Sequence, residues 1–563
     1  MKHLTLLSLF YFGIAVQAQH NFRYLDINQV KAGINSNGNL HFTPSGFLHA
    51  YEVPKGSGKH SNSFTNLWFG GMYNNQLHLA AERISLPGSD FNSGPLTLLG
   101  SAVPTNTVQY TRVWKLNKTD INDFIANYAN GNVQNGSYIP APDLLSWPGT
   151  GDISKNEDVN LAPYVDVNGD NIYNPMTGGD YPSIKGDQTL FFIYNDVTAS
   201  PHGSGGQALG LEIHCMAYAY GTCSVVAATP ALDYTTFYDY TIINRSTRTY
   251  TDFYTSLYSE ADLGQFNDDY IGCDVKDNYG YIYNGDNDDE TLGSYTGYGL
   301  NPPAAAFALL RSPQSATDGI DNDGDGITDE QSEQMGMTNF SYFITYLVGV
   351  PPEMGPPFMA MDYYNYMHSI WKDGSAFTCN MPLAHGGAIS TPYVYPGITY
   401  TNSACGSSNW SETVAAGARR YILSTKKSSF QPGESIFLEY AHVTSFPASG
   451  SALTKLDQDV NAVKAFYESG TASSCVATSL SEQLETNAFK MYPNPASSVI
   501  TVSSLQSKSA KIEITDVYGK VLLSTNIGNR ESTQIDISTF ASGIYFVKVS
   551  LEGKSVVQKF IRQ

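Results

Sequence analysis

Residues 318–330 read DGIDNDGDGITDE, with five aspartates and a glutamate in thirteen positions. Such a run would repel itself in a packed core, so it calls for solvent or a counter-ion. Asp321, Asp323, Asp325 and Asp329 fall at relative positions 1, 3, 5 and 9. Gly326 permits a sharp turn, and Ile327 offers a backbone carbonyl at position 7. Short carboxylates at alternating positions can converge on one point, as a hard cation with six to eight oxygen ligands requires. The spacing therefore predicts a Ca²⁺ site. Ser332 stands where an EF-hand carries glutamate, and no helical pattern flanks the run. The loop thus resembles the calcium repeats of thrombospondin type 3 more than an EF-hand, with Glu330 or Glu333 to complete the shell.

A second stretch, DVNGDNIYNPMTGGD at 166–180, repeats the theme. Asp166, Asn168 and Asp170 take positions 1, 3 and 5, much like a dockerin loop. Asn171 replaces the usual glycine, Thr177 stands at the carboxylate position, and Asp180 is the substitute. A third cluster, EADLGQFNDDYIGCD at 260–274, holds Glu260, Asp262, Asp268, Asp269 and Asp274. Cation binding or turn hydrogen bonding is its simplest reading. The alternative is a carboxylate pair acting on a glycosidic bond, which needs two such groups about 5–10 Å apart.

Other chemistry is less well signalled. No GxSxG elbow, HExxH helix or GxxxxGK[ST] loop occurs. His202, Glu212 and His214 lie within one short stretch, with Glu212 and His214 on one strand face by period two. A hydrogen-bonded strand pair is preferred there to a metal site. Cys379 with His385 reads as a disulfide cysteine beside an unrelated histidine rather than a thiol–imidazole pair. MDYYNYMHSIW at 361–371 offers either a sugar-stacking platform or aromatics used for packing, and packing is preferred.

Elements must hold these groups, and composition says which kind. Charged residues make up 15% of the 563, below the roughly 25% usual in soluble proteins, while Tyr alone numbers 39. Such a balance favours strands and turns over long helices. The expected fold is mostly β: a large β-rich, sandwich-like body with few helices, then a small Ig-like sandwich. Alternating or aromatic segments at 23–30, 39–51, 65–83, 187–198, 207–220 and 232–258 read as strands. Two helices are expected. One covers 119–130, capped by Thr119, with Ile121, Phe124, Ile125 and Tyr128 on a shared face. The other covers 453–470, with Leu453, Leu456, Val460, Val463 and Tyr467 as its stripe.

Residues 1–18 read as a secretory signal, MKHLTLLSLFYFGIAVQA, with a basic start and an apolar stretch too short for a membrane span. No later apolar run reaches spanning length, so no transmembrane segment is expected in the mature chain. The net charge of −21 excludes a phosphate backbone as a natural partner and favours hard cations. The six cysteines of an exported chain favour disulfides, with Cys215–Cys223 and Cys379–Cys405 the expected pairs. A body at 19–470, with a candidate inner boundary near 300–335, leads into a polar linker at 471–487.

From 488 the chain changes character. MYPNP at 491–495, ITDVYGKVL at 514–522, SGIYFVKV at 542–549 and the closing GKSVVQKFIRQ resemble the type A sorting domain of type IX secretion cargo. The resemblance spans 488–563. It implies a periplasmic intermediate, recognition by the type IX translocon, and delivery to the outer cell surface or medium. Blocks in the body, among them LWFGGMYNNQLHLAAERI and RRYILSTKKSSFQPGES, resemble large uncharacterised surface or secreted proteins with such tails, and no chemistry comes with that resemblance. The expected function is a structural or adhesive surface protein binding a glycan or matrix ligand, with calcium-stabilised loops. The alternative is a secreted hydrolase of polysaccharide or protein.

Overall fold

The computed structural model describes residues 21–44, 49–84, 88–103, 107–197, 199, 201–221, 230–293, 295–313, 334–345, 350–400, 405–406, 409–469, 489–504, 510–515, 521–527, 532–551 and 554–563. The expected loop at 318–330, with Asp321, Asp323, Asp325, Ile327 and Asp329, lies outside them. So do the signal segment and the linker. The chain divides into two compact units that meet between Cys475 and Val476. Strands occupy 41% of the chain and helices 14%, so the fold is mostly β.

The first unit is built on two antiparallel sheets. The larger has nine described strands. It runs from Asp269–Asp274 at one edge through Tyr279–Asn284, Ala304–Arg311, Ser435–Ser445, Thr235–Asn244 and Leu211–Ala219 to Gln188–Asn195. Asn92–Ser93 and Trp114–Asn117 both pair with that last strand. The second sheet has five strands, in the order Asn339–Ile344, Arg419–Phe430, Tyr250–Glu260, Phe64–Tyr73 and Gln76–Ala80. One core draws on both: Phe192, Ile213, Tyr240 and Leu438 come from the larger sheet, Leu67, Leu257 and Leu423 from the smaller. Strands from before, within and after 300–335 share the larger sheet.

Period-two alternation lets one strand serve two cores. In Ala304–Arg311, Ala305, Phe307 and Leu309 face the second sheet, while Ala304, Ala306 and Ala308 face outward. Those small outward residues let the helix Ala452–Glu468 lie close, burying Leu456, Val460 and Val463. Helix Lys118–Ala129 covers the other end of the same face with Ile121 and Phe124, against Trp114, Phe191 and Met216. Both expected helices are present, with local corrections. The first starts after Asn117, whose N–H donates to Asp120 at 2.8 Å, rather than at Thr119, and its Ile125 is exposed. The aromatic run at 361–371 is core: Tyr363, Tyr366 and Trp371 are fully buried, so no sugar platform forms from them.

The second unit contains a three-stranded and a four-stranded sheet. Phe489–Tyr492, Val499–Ser504 and Ser532–Asp536 form one; Val521–Ile527, Ala510–Thr515, Gly543–Leu551 and Lys554–Arg562 form the other. Ile500, Val502, Ile512, Ile535, Val547 and Phe560 fill a core shared by both.

Candidate metal loop and histidine cavity

The loop at 166–180 takes its shape from backbone groups wrapped round carboxylates. Asp166 accepts from the N–H groups of Gly169 and Asn171, both at 2.8 Å. Asp180, fully buried, accepts from Val167 at 2.9 Å and Asn174 at 2.8 Å. Gly169 and Asn171 adopt left-handed φ values of 76° and 60°. Asparagine tolerates that conformation better than most residues, which is how Asn171 substitutes for glycine.

Carboxylate oxygens of Asp166, Asp170 and Asp180 lie within 4.8 Å of one another. No lysine, arginine or histidine among the described residues is ion-paired with them. An all-oxygen cluster with three negative charges and no internal counter-ion fits a hard divalent cation. The residues that would hold it are Asp166, Asp170 and Asp180. Asn168 stands differently from the sequence expectation: its amide donates to Asp170 at 2.9 Å and its Oδ1 accepts from the Asp170 N–H. It therefore braces a neighbouring carboxylate instead of facing the centre. The Ile172 N–H, first among several donors, holds the Asp170 carboxyl below its ordinary range.

The 260–274 acids divide. Arg420, buried on the smaller sheet, binds Glu260 at 2.8 Å and Asp262 at 2.9 Å. Asp274 accepts from the Asp277 N–H at 2.8 Å and its carboxyl oxygens lie with those of Asp277 and Asp457. Asp268 and Asp269 join neither arrangement.

Beside Asp262 opens a cavity of about 290 Å³ lined by Lys31, His49, Glu52, His60, Gly264 and Tyr295, among others. Ser63 Oγ lies in short contact with both His49 Nδ1 and an Asp262 carboxylate oxygen. An ionised Asp262 only accepts, so the Ser63 hydroxyl donates to it and takes a hydrogen bond from His49 Nδ1–H. That arrangement fixes the tautomer, with the proton on Nδ1 and the lone pair on Nε2. Burial lowers the affinity of His49 for a proton, with smaller opposing effects of Asp262 and Arg420. His60, its ring centroid 5.3 Å from that of His49, is pushed down to about 4, first by burial and then by His49. Burial thus favours the neutral form of both imidazoles. No motif spacing points to this cavity, because its histidines sit in a turn-rich stretch.

The remaining candidates resolve simply. Glu212 accepts from His214 at 2.9 Å and Arg245 at 2.8 Å, while His202 bonds the carbonyls of Leu79 and Asp196 elsewhere. Cys379 is joined to Cys405. Cys215 is a free, buried thiol inside a central strand, so the expected Cys215–Cys223 pair does not form; Cys223 lies outside the described residues.

Residues 490–563 match the family described as a secretion system C-terminal sorting domain. The chain is cargo of the type IX secretion system. It is exported to the cell surface or the extracellular space, and its tail interacts with the secretion machinery. Among the described residues, no helix is long and apolar enough to cross a membrane. No curated protein matches the chain. Among solved structures, a polysaccharide lyase is similar over 66% of this chain and 39% of its own, at 9% identity and TM-score 0.17. A biofilm-associated protein's BSP domain is similar over 67% of this chain and 59% of its own, at 7% identity and TM-score 0.13. At such TM-scores neither likeness bears on fold or activity.

Proposed function

We propose that the exported body is a structural or adhesive protein of the cell surface or surroundings, binding a glycan or matrix ligand, with calcium stiffening its loops. The observation that carries this reading is how the 260–274 acids are used. Glu260 and Asp262, the nearest thing to a catalytic pair, are both bound to buried Arg420. Carboxylates whose oxygens are so engaged are poor nucleophiles. The loop at 166–180 supports the calcium part, and 318–330 is proposed as a second calcium loop on its spacing alone. The test incubates the mature protein, in calcium, with immobilised polysaccharides and matrix proteins. Retention of a ligand with no soluble product is expected; sustained release of product would overturn the reading.

One observation favours a hydrolase instead: His49, oriented by Ser63 and Asp262, lines a cavity that Glu52 lines too. A neutral, oriented imidazole can take a proton from water or a sugar hydroxyl. If turnover is found, His49→Ala should abolish it with the melting temperature unchanged.

A further inference from the structure

The edge strand Asp269–Asp274 begins with a carboxylate where an apolar side chain belongs. Ile271 and Cys273, two and four residues on, face the core between the sheets. By period two Asp269 shares that face. Its directly opposed partner on Tyr279–Asn284 is Asn284. Asp269 is 0% exposed and Asn284 6%.

Their hydrogen bonding is one-sided. Asp269 Oδ2 accepts from the Leu263 N–H at 3.0 Å, and Asp269 Oδ1 is buried with no partner. Asn284 turns its amide N–H₂ toward the Asp286 and Asp288 carbonyls, each at 3.4 Å, which sets its Oδ1 the other way; that oxygen too is buried and unpartnered. Asp268, in the short turn just before the strand, has both carboxylate oxygens buried without a partner. Its backbone carbonyl accepts from Gly285 N–H at 2.7 Å, tying the turn to the residue after Asn284. Four orphan oxygens on three neighbouring residues meet no donor, and no described cation is ion-paired with either aspartate. Buried polar atoms are nearly always satisfied, so a set composed of acceptors alone points to something positive that completes it.

We propose that Asp268, Asp269 and Asn284 form a further, separate site for a hard divalent cation, Ca²⁺ by its all-oxygen donor set, at the edge of the larger sheet. The ion would satisfy Asp269 Oδ1, Asn284 Oδ1 and the Asp268 carboxylate, with water filling the remaining positions. Asp289 is itself engaged, accepting from Gln265 and Tyr298, so it offers no open oxygen to the site. The site goes beyond the surface-binding reading and does not depend on it.

The test is calorimetric titration of calcium into the chelator-treated mature protein at pH 7.5, with melting curves alongside. Asp269→Asn should lose one binding equivalent and keep the equivalent that Asp170→Asn removes; the double variant should lose both. Full stoichiometry in Asp269→Asn would overturn the site and leave the 166–180 loop intact. Should Asp269→Asn fail to fold, Asn284→Asp decides. A cation site predicts at least tenfold tighter calcium binding in that variant, and a melting temperature lower than wild type only in chelator. An equal fall in melting temperature with and without calcium would overturn the proposal.

Discussion

Two acidic regions of this molecule use the same residue types in opposite ways. At Glu260 and Asp262 the protein supplies its own cation, Arg420, and draws all three groups into the interior. At Asp166, Asp170 and Asp180 it supplies none among the described residues and surrounds the carboxylates with backbone N–H groups. An internal ion pair is fixed once the chain folds, whereas a loop that must import its charge makes stability depend on the medium. Calcium abounds outside cells, so the second device, if it binds calcium as proposed, would suit an exported protein and give its loops a condition the first lacks.

The largest expected effect breaks the internal pair. Arg420→Met leaves two buried carboxylates without their counter-charge and should destabilise by about 3–5 kcal/mol in denaturant titration. A loss near zero would mean that Arg420 neutralises nothing, and the contrast between the regions would collapse.

Next comes the imported charge. With calcium a hundredfold above the loop's dissociation constant, binding should add about 2.7 kcal/mol, and Asp170→Asn should remove that increment. Melting curves with and without chelator measure it, and identical calcium dependence in the variant would sink the loop as a site.

Acid sharpens the comparison from a third place. His41 is fully buried, bonded to Asn62 and Tyr238, and burial pushes it down to about 3, a bond from Asn62 opposing. His442, beside it, is lowered well below its usual value, first by burial. A histidine lowered in the folded state binds fewer protons there than when unfolded. Stability must therefore fall as pH drops below about 6.5, and for His41 alone the loss by pH 4.5 is about 2.5 kcal/mol. His41→Gln should flatten the fall between pH 7 and 4.5; an unchanged slope would show the histidine is not responsible. Buried carboxylates such as Asp269 act in the other direction, since protonation relieves them.

The smallest effect tests loop geometry. Asn171→Gly, at φ 60°, should change stability by less than about 0.5 kcal/mol and leave calcium binding alone. A larger shift would show that the Asn171 side chain, and not only its backbone, shapes the loop.

Much of this was legible in consecutive residues. Stripes at 121–124 and 456–463 announced two helices, alternation announced the long strands, and Asp166 with Asp170 announced an acidic turn. Local readings went astray where a distant partner intervened. Asn117 took the cap from Thr119 because Asp120 returns to its N–H. Tyr363 and Tyr366 became core because the second sheet lies over them, and Cys215 stayed a thiol because its strand runs through the sandwich centre.

The sequence by itself determined the export tail, the β class and the acidic turn at 166–180. Those depend on periodicity and turn chemistry, which act over a few neighbouring positions. Only the tertiary structure decided which acids share a place. Asp262 meets Arg420 across 158 residues, and Asp269 meets Asn284 by strand register. Such pairings follow from the order in which strands join a sheet, and that order is set by burial of the whole core rather than by any local run of residues.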